Sequence, residues 1–110
     1  MLIALVLVPT VRIGACMLSM HPFPKAAQQR ELESSGDRIV AELEAWRSAH
    51  GRYPSNFEEG GIATLDTDFG TWRYLRWEDG QSFELRMGDY NVDGWVLFWN
   101  TPRRSWRMDT

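Results

Sequence analysis

The run Asp89-Tyr90-Asn91-Val92-Asp93-Gly94 is where the chain comes nearest to a chemical site. Oxygen-bearing side chains at alternate positions, then a glycine at the bend, match the opening of an EF-hand calcium loop, D-x-[DN]-x-[DN]-G. Asp89, Asn91 and Asp93 are therefore candidate metal ligands and Ca2+ the candidate cofactor. The end of the loop argues the other way: its last position calls for a bidentate glutamate and holds Asn100. The residues after Gly94 also read as a strand rather than as an exiting helix. A polar β-turn is the alternative reading of the same residues.

Catalytic sets are harder to assemble. The two histidines, His21 and His50, stand apart from any nucleophile or metal set, and His50 falls at a helix end where a cation suits the dipole. Glu58 with Glu59, and Asp66 with Asp68, are paired carboxylates of the kind glycoside hydrolysis uses, but they sit in polar segments where solvated charge is the ordinary outcome. The expectation is a protein without enzymatic activity and without an evident small-molecule substrate.

A third candidate is chemical in another sense. Leu2 to Val8 is an apolar run interrupted by Pro9 and Arg12, and Ile13-Gly14-Ala15-Cys16 resembles a bacterial lipobox, with small residues just before a cysteine. The run is short of the ~20 apolar residues that cross a bilayer cleanly and matches a secretory apolar region instead. Cleavage before Cys16 and lipidation of its sulfur would tether the rest of the chain to a membrane. No basic stretch precedes Leu2, which an upstream start would explain; the alternative is a buried apolar arm carrying an inert thiol. As the single cysteine, Cys16 has no partner for an internal disulfide.

Size and charge bound the rest. A chain of 110 residues, 44% hydrophobic and with six tryptophans, suits one compact domain. The net charge of -3 is uneven: residues 1–30 hold basic groups only, 31–70 hold nine acids against three arginines, and six arginines balance six acids thereafter. Nucleic acid is excluded as the main partner, because neutralising phosphates needs a net basic face. Arg73, Arg76, Arg86, Arg103, Arg104 and Arg107 interleave with tryptophans and read as solvated charge on a sheet face.

These features need elements to hold them. Residues 1–24 form an apolar signal or anchor segment closed by the stiff His21-Pro22-Phe23-Pro24 spacer, and residues 25–110 form the single domain. Ile39, Leu43 and Trp46, with Val40 and the earlier Leu32, make an apolar stripe at helical spacing that predicts one long helix over residues 25–50, weakest at 34–36. Gly51 suits a left-handed cap, and Pro54 forbids renewed helix. Ser55-Asn56-Phe57-Glu58 has the form of a capping box for a short helical turn, and Ile62, Leu65 and Phe69 should dip into the core. Alternation over residues 72–77 and 82–87 around Asp79-Gly80 predicts a hairpin closed by a two-residue turn, with Glu78 opposite Gln81, Tyr74 opposite Leu85, and Trp72 opposite Met87. Residues 94–100 are apolar on both faces, which suits a central strand, and 103–108 are charged enough for an edge. The expected class is α+β, with the long helix packed on a four-stranded antiparallel sheet.

A helix ending in His50-Gly51-Arg52-Tyr53-Pro54, then a short capped turn and hairpins, resembles the globular part of type IV pilin-like proteins and type II secretion pseudopilins. The resemblance implies a bacterial envelope location facing the periplasm or exterior, and action through protein contacts; calcium-stabilised loops occur among pseudopilins. The prepilin peptidase motif of those proteins is absent from the sequence, so the resemblance implies a lipoprotein or signal-anchored relative rather than a polymerising subunit. Trp46, Trp72 and one set on the third strand suffice for a small core. That leaves Trp77 and Trp106 near the second sheet face, either exposed as a protein-binding cluster or covered by the N-terminal arm or the 62–70 loop. The competing class is a soluble binding module that uses that aromatic face.

Overall fold

The computed structural model describes residues 22–110, so the expectations placed on Cys16, on His21 and on the apolar segment lie outside the described residues. One long helix, α1 (Ala26–His50), is followed by a four-stranded antiparallel sheet in the order β1 (Arg73–Arg76), β2 (Phe83–Met87), β3 (Val96–Asn100) and β4 (Trp106–Asp109), with a one-turn helix α2 (Tyr90–Asp93) between β2 and β3. The class is α+β, as the apolar periodicities imply.

Helix α1 runs unbroken. At its start the Gln28 side chain accepts from the Lys25 N–H at 2.9 Å; at its end Gly51 adopts φ +78° and donates to Arg47 O, the left-handed closure for which glycine carries least strain. Leu32, Gly36, Ile39, Val40 and Leu43 are its buried residues. Trp46 is not part of that set, contrary to the expected stripe. With about 100° of rotation per residue, the stripe's axis passes nearer to position 47, four residues beyond Leu43, and leaves 46 on the shoulder. The Trp46 ring instead stacks flat on His50, with centroids 3.7 Å apart, and lies under Arg52 at 5.0 Å.

In the sheet, Tyr74 stands opposite Leu85 and Arg73 opposite Arg86, the hairpin register that the alternation predicts. The turn differs. Gly80 N–H donates to Trp77 O at 3.0 Å and Trp77 N–H to Ser82 O at 2.9 Å, so the reversal spans Trp77 to Gly80 and Glu78 does not pair with Gln81. Asp79 explains the shift: its carboxylate accepts from the Gln81 N–H and favours an Asx-turn over a two-residue reversal. Strand β3 lies between β2 and β4, with Leu97 and Trp99 buried and continuing the plane of Trp95. β4 begins later than expected, because residues 101–103 form a turn that ends at Arg104, held at φ +53° by its N–H bond to Asn100 O.

Two loop expectations are corrected. The box after the helix is built on Asn56 and Glu59 rather than on Ser55 and Glu58: Glu59 N–H donates to Asn56 Oδ1 and Ser55 N–H to Glu59 Oε1, and only a turn results. Ile62 and Phe69 are buried as expected, but Leu65 is 77% exposed at the tip of its loop.

One of the contacts that join helix to sheet centres on Gly36. The Trp106 indole lies directly across Gly36, so that a Cβ on Gly36 would fall 2.2 Å from Trp106 Cη2 and 3.0 Å from Trp72 Cη2. Trp106 Nε1 donates to Asp37 Oδ1 at 2.8 Å. A methyl at position 36 favours helix by about 1 kcal/mol over glycine, whereas forcing the indole aside costs about 1–3 kcal/mol. Urea unfolding should therefore show Gly36→Ala destabilising the native chain by up to about 2 kcal/mol yet stabilising a Trp106→Ala background. The same sign in both backgrounds would mean that the indole does not hold position 36.

Candidate functional site

One sheet face is filled by α1 and the loops; the other is open among the described residues. Cross-strand pairing places on this open side Leu75 opposite Glu84, then Arg73, Arg86, Phe98 and Arg107 in one line across all four strands, then Val96 opposite Asp109. Leu75 and Trp77 are exposed at 48% and 45%, far above the buried residues of the opposite face. A groove of about 370 Å³ runs between them, bounded by Glu78, Glu84 and Arg86. Arg86 pairs with Glu84, and Arg73 donates to the Gly88 carbonyl.

The two tryptophans expected here part company. Trp77 stands on the open side, next to the groove. Trp106 is corrected to the other face: opposite Trp99, half-buried, with its ring against Trp72 at 5.5 Å between centroids. The glycine at position 36 makes room for its indole and Asp37 supplies an acceptor, so the helix captures it. The apolar residue that sequence reasoning passed over on the open side is Leu75; its alternation with Tyr74 and Arg76 was the available signal.

The Asp89–Gly94 stretch is a capped helical turn. Asp89 Oδ1 accepts from Asn91 N–H at 2.9 Å, Asp93 Oδ2 accepts from Asp89 N–H at 2.8 Å, and Gly94 closes α2 in the left-handed conformation. Both carboxylates thus bond backbone donors within the turn. Among the described residues no three acidic, histidine or cysteine side chains gather where a metal would need them. Of the expected ligands, Asp89 and Asp93 are brought together by this capping, and Asn91 is exposed.

The ionisable groups that do converge tie elements together. Tyr53, almost wholly buried, donates from its hydroxyl to Glu44 Oε1 at 2.6 Å, and Arg104 reaches the same oxygen at 3.4 Å while covering Trp99. Burial and the bond to Glu44 raise the Tyr53 hydroxyl. Tyr74 donates to Pro54 O at 2.6 Å, and burial pushes its hydroxyl up to about 12. Glu59 is held down at about 2, chiefly by its bond to Arg52 and then by the Ser55 N–H. Phenols raised in this way resist ionisation, which is the opposite of what a nucleophile or base needs.

No protein-family model matches this chain, and neither a curated protein nor a solved structure shows significant similarity to it.

The tyrosine pair gives a pH signature. An unfolded tyrosine ionises near 10.0, whereas folded Tyr74 holds its proton to about 12, so its contribution is whole below pH 10 and drains away as pH rises to 12. Tyr74→Phe should lose about 0.5–1.5 kcal/mol at pH 7 with the bond to Pro54, and the gap to the native chain should narrow between pH 10 and 12. Urea melts at pH 7, 10 and 11.5 test this. A gap that stays constant would show that Tyr74 ionises alike in both states.

Proposed function

We propose that this chain is a non-enzymatic bacterial envelope protein, held at a membrane by the segment before Pro22 and acting through protein contacts made by a pilin-like or pseudopilin-like domain. The observation that carries the reading is the pair Leu75 and Trp77, half-exposed on a sheet whose other face is fully occupied. A large aromatic and an aliphatic side chain on a firm surface are what interaction sites present, and covering them with a partner removes their apolar area from water. The titratable clusters support this by serving as struts. Support for the tether comes from sequence: the apolar run, the small residues before Cys16, and the stiff spacer ahead of α1. Among the described residues no helix is long and apolar enough to cross a membrane.

The test is the intact mass of the protein recovered from a bacterial host that expresses it with its native upstream region. A membrane species beginning at Cys16 and carrying lipid is the expected product of a lipoprotein, and an unprocessed chain in the membrane that of a signal anchor. An unmodified full-length chain in the cytosol would overturn the envelope reading in favour of a soluble module using the same face.

A further inference from the structure

We propose that the open sheet face binds a short extended segment of a protein partner, with its carboxylates on the row formed by Arg73, Arg86 and Arg107 and an apolar side chain in the Leu75–Trp77 groove. This rests on the reading of that face as a protein-contact surface, and specifies the chemistry of what it contacts.

The row is unusual in a chain whose net charge is -3. Arg73, Arg86, Phe98 and Arg107 occupy paired positions in one cross-strand line, with Arg73 directly opposite Arg86. Like charges in direct opposition destabilise a sheet. Only Arg86 of the three has an ion-pair partner among the described residues, namely Glu84; Arg73 reaches a carbonyl, and Arg107 is exposed. Planar guanidinium groups are forks suited to carboxylates; Arg73 and Arg86 stand on neighbouring strands, about 4.8 Å apart, whereas Phe98 separates Arg86 from Arg107 by two such spacings and gives an apolar floor between them.

Area and charge pattern choose between occupants. Four strands of four or five residues span roughly 19 by 15 Å, or about 300 Å² of flat surface, against about 800 Å² per partner in a stable interface between globular proteins. A second copy of the chain docked on this face would be short of area and would bring arginine rows together. An extended segment of five or six residues fits the same span. An anionic lipid surface fits less well, because Glu78 and Glu84 stand at one end of the face and Asp109 at the other. A continuous negative layer must meet those carboxylates, whereas a peptide can place its own acids only over the arginines. The groove's own charges balance, Glu78 and Glu84 against Arg76 and Arg86, and its walls are Leu75 and Trp77, so the segment has an order: apolar residue at the groove, acids toward the row.

The experiment is selection from a random octapeptide display library on the full chain in phosphatidylcholine nanodiscs, followed by titration of the selected synthetic peptides against variants. Enrichment of peptides with two or more acids beside an aliphatic or aromatic residue is expected, with binding that weakens as salt rises. Arg107→Gln should cost about five-fold in affinity and Trp77→Ser a similar factor, both variants melting as the native chain does. Selected peptides without acids, lost on Trp77→Ser, would overturn the acidic segment and leave the contact surface standing. Acidic peptides indifferent to Arg107→Gln would also overturn it. A library from which nothing is selected would sink both readings. Retention on phosphatidylglycerol vesicles that needs Arg107, with no peptide selected, would give the face to the membrane instead.

Discussion

The fold depends on how closely α1 approaches the sheet at Gly36. A helix laid across a four-stranded sheet buries one stripe, and the depth it reaches is set by the smallest residue on that stripe. Here the smallest residue meets the largest, since the Trp106 indole occupies the space a Cβ would need and its N–H is anchored on Asp37. The contact is long-range, joining the middle of the first element to the last strand. It therefore closes the sheet's far edge onto the helix, and the ring lies against Trp72 on the way. Without it, β4, an edge strand of four residues, would be held by its ladder to β3 and by the packing of Met108 against the core.

That closure makes the two sheet faces unequal. Trp95, Leu97, Trp99, Phe83, Leu85 and Met87 fill one side to near-complete burial, with Tyr53 edge-on to Phe83 at 4.8 Å. Strict alternation along each strand then leaves the intervening residues on the other side, where no element among those described comes back to cover them. Apolar residues at those positions gain nothing from the core, so Leu75, Trp77 and the arginine-flanked Phe98 need a reason outside it.

How legible this was in the sequence depends on which forces are local. The hairpin register was readable from alternation alone, because a slip by one residue would have exchanged the two faces; likewise, the two-sided apolar run around Val96 marked an inner strand. The helix boundary was readable from Gly51 and Pro54. Trp106 was not, because its face depended on a turn at 101–103 that delays β4 and on a cavity opposite Gly36, both properties of the assembled fold. A glycine four residues after Leu32 on the buried stripe was the one available sign, and it reads equally well as a weak point in the helix. Trp46 misled for a related reason: at the end of a helix a shoulder position has nothing left to pack against. The Asp89–Gly94 stretch shows the limit of pattern matching, since alternating carboxylates cap a turn as readily as they ligate a cation.

The same ties bear on how well the open face can bind. Helix α1 is fastened to the sheet at its middle by Trp106. At its C-terminal end Glu44 takes bonds from both Tyr53 and Arg104, and Arg47 reaches Gln81, whose amide in turn holds Gly51 O. These bonds lock the turn that begins at Trp77 and the turn before β4, which lead to the groove and to one end of the arginine row. Arg104 sits at positive φ, a conformation that costs a non-glycine residue stability and that its contacts with Trp99 and Glu44 help to hold. Binding loses affinity to the ordering of loops and side chains, so turns already fixed from behind leave less to be ordered when a partner arrives. Struts on the filled face thus keep the spare face flat, and a flat face with a fixed row of charges discriminates by spacing.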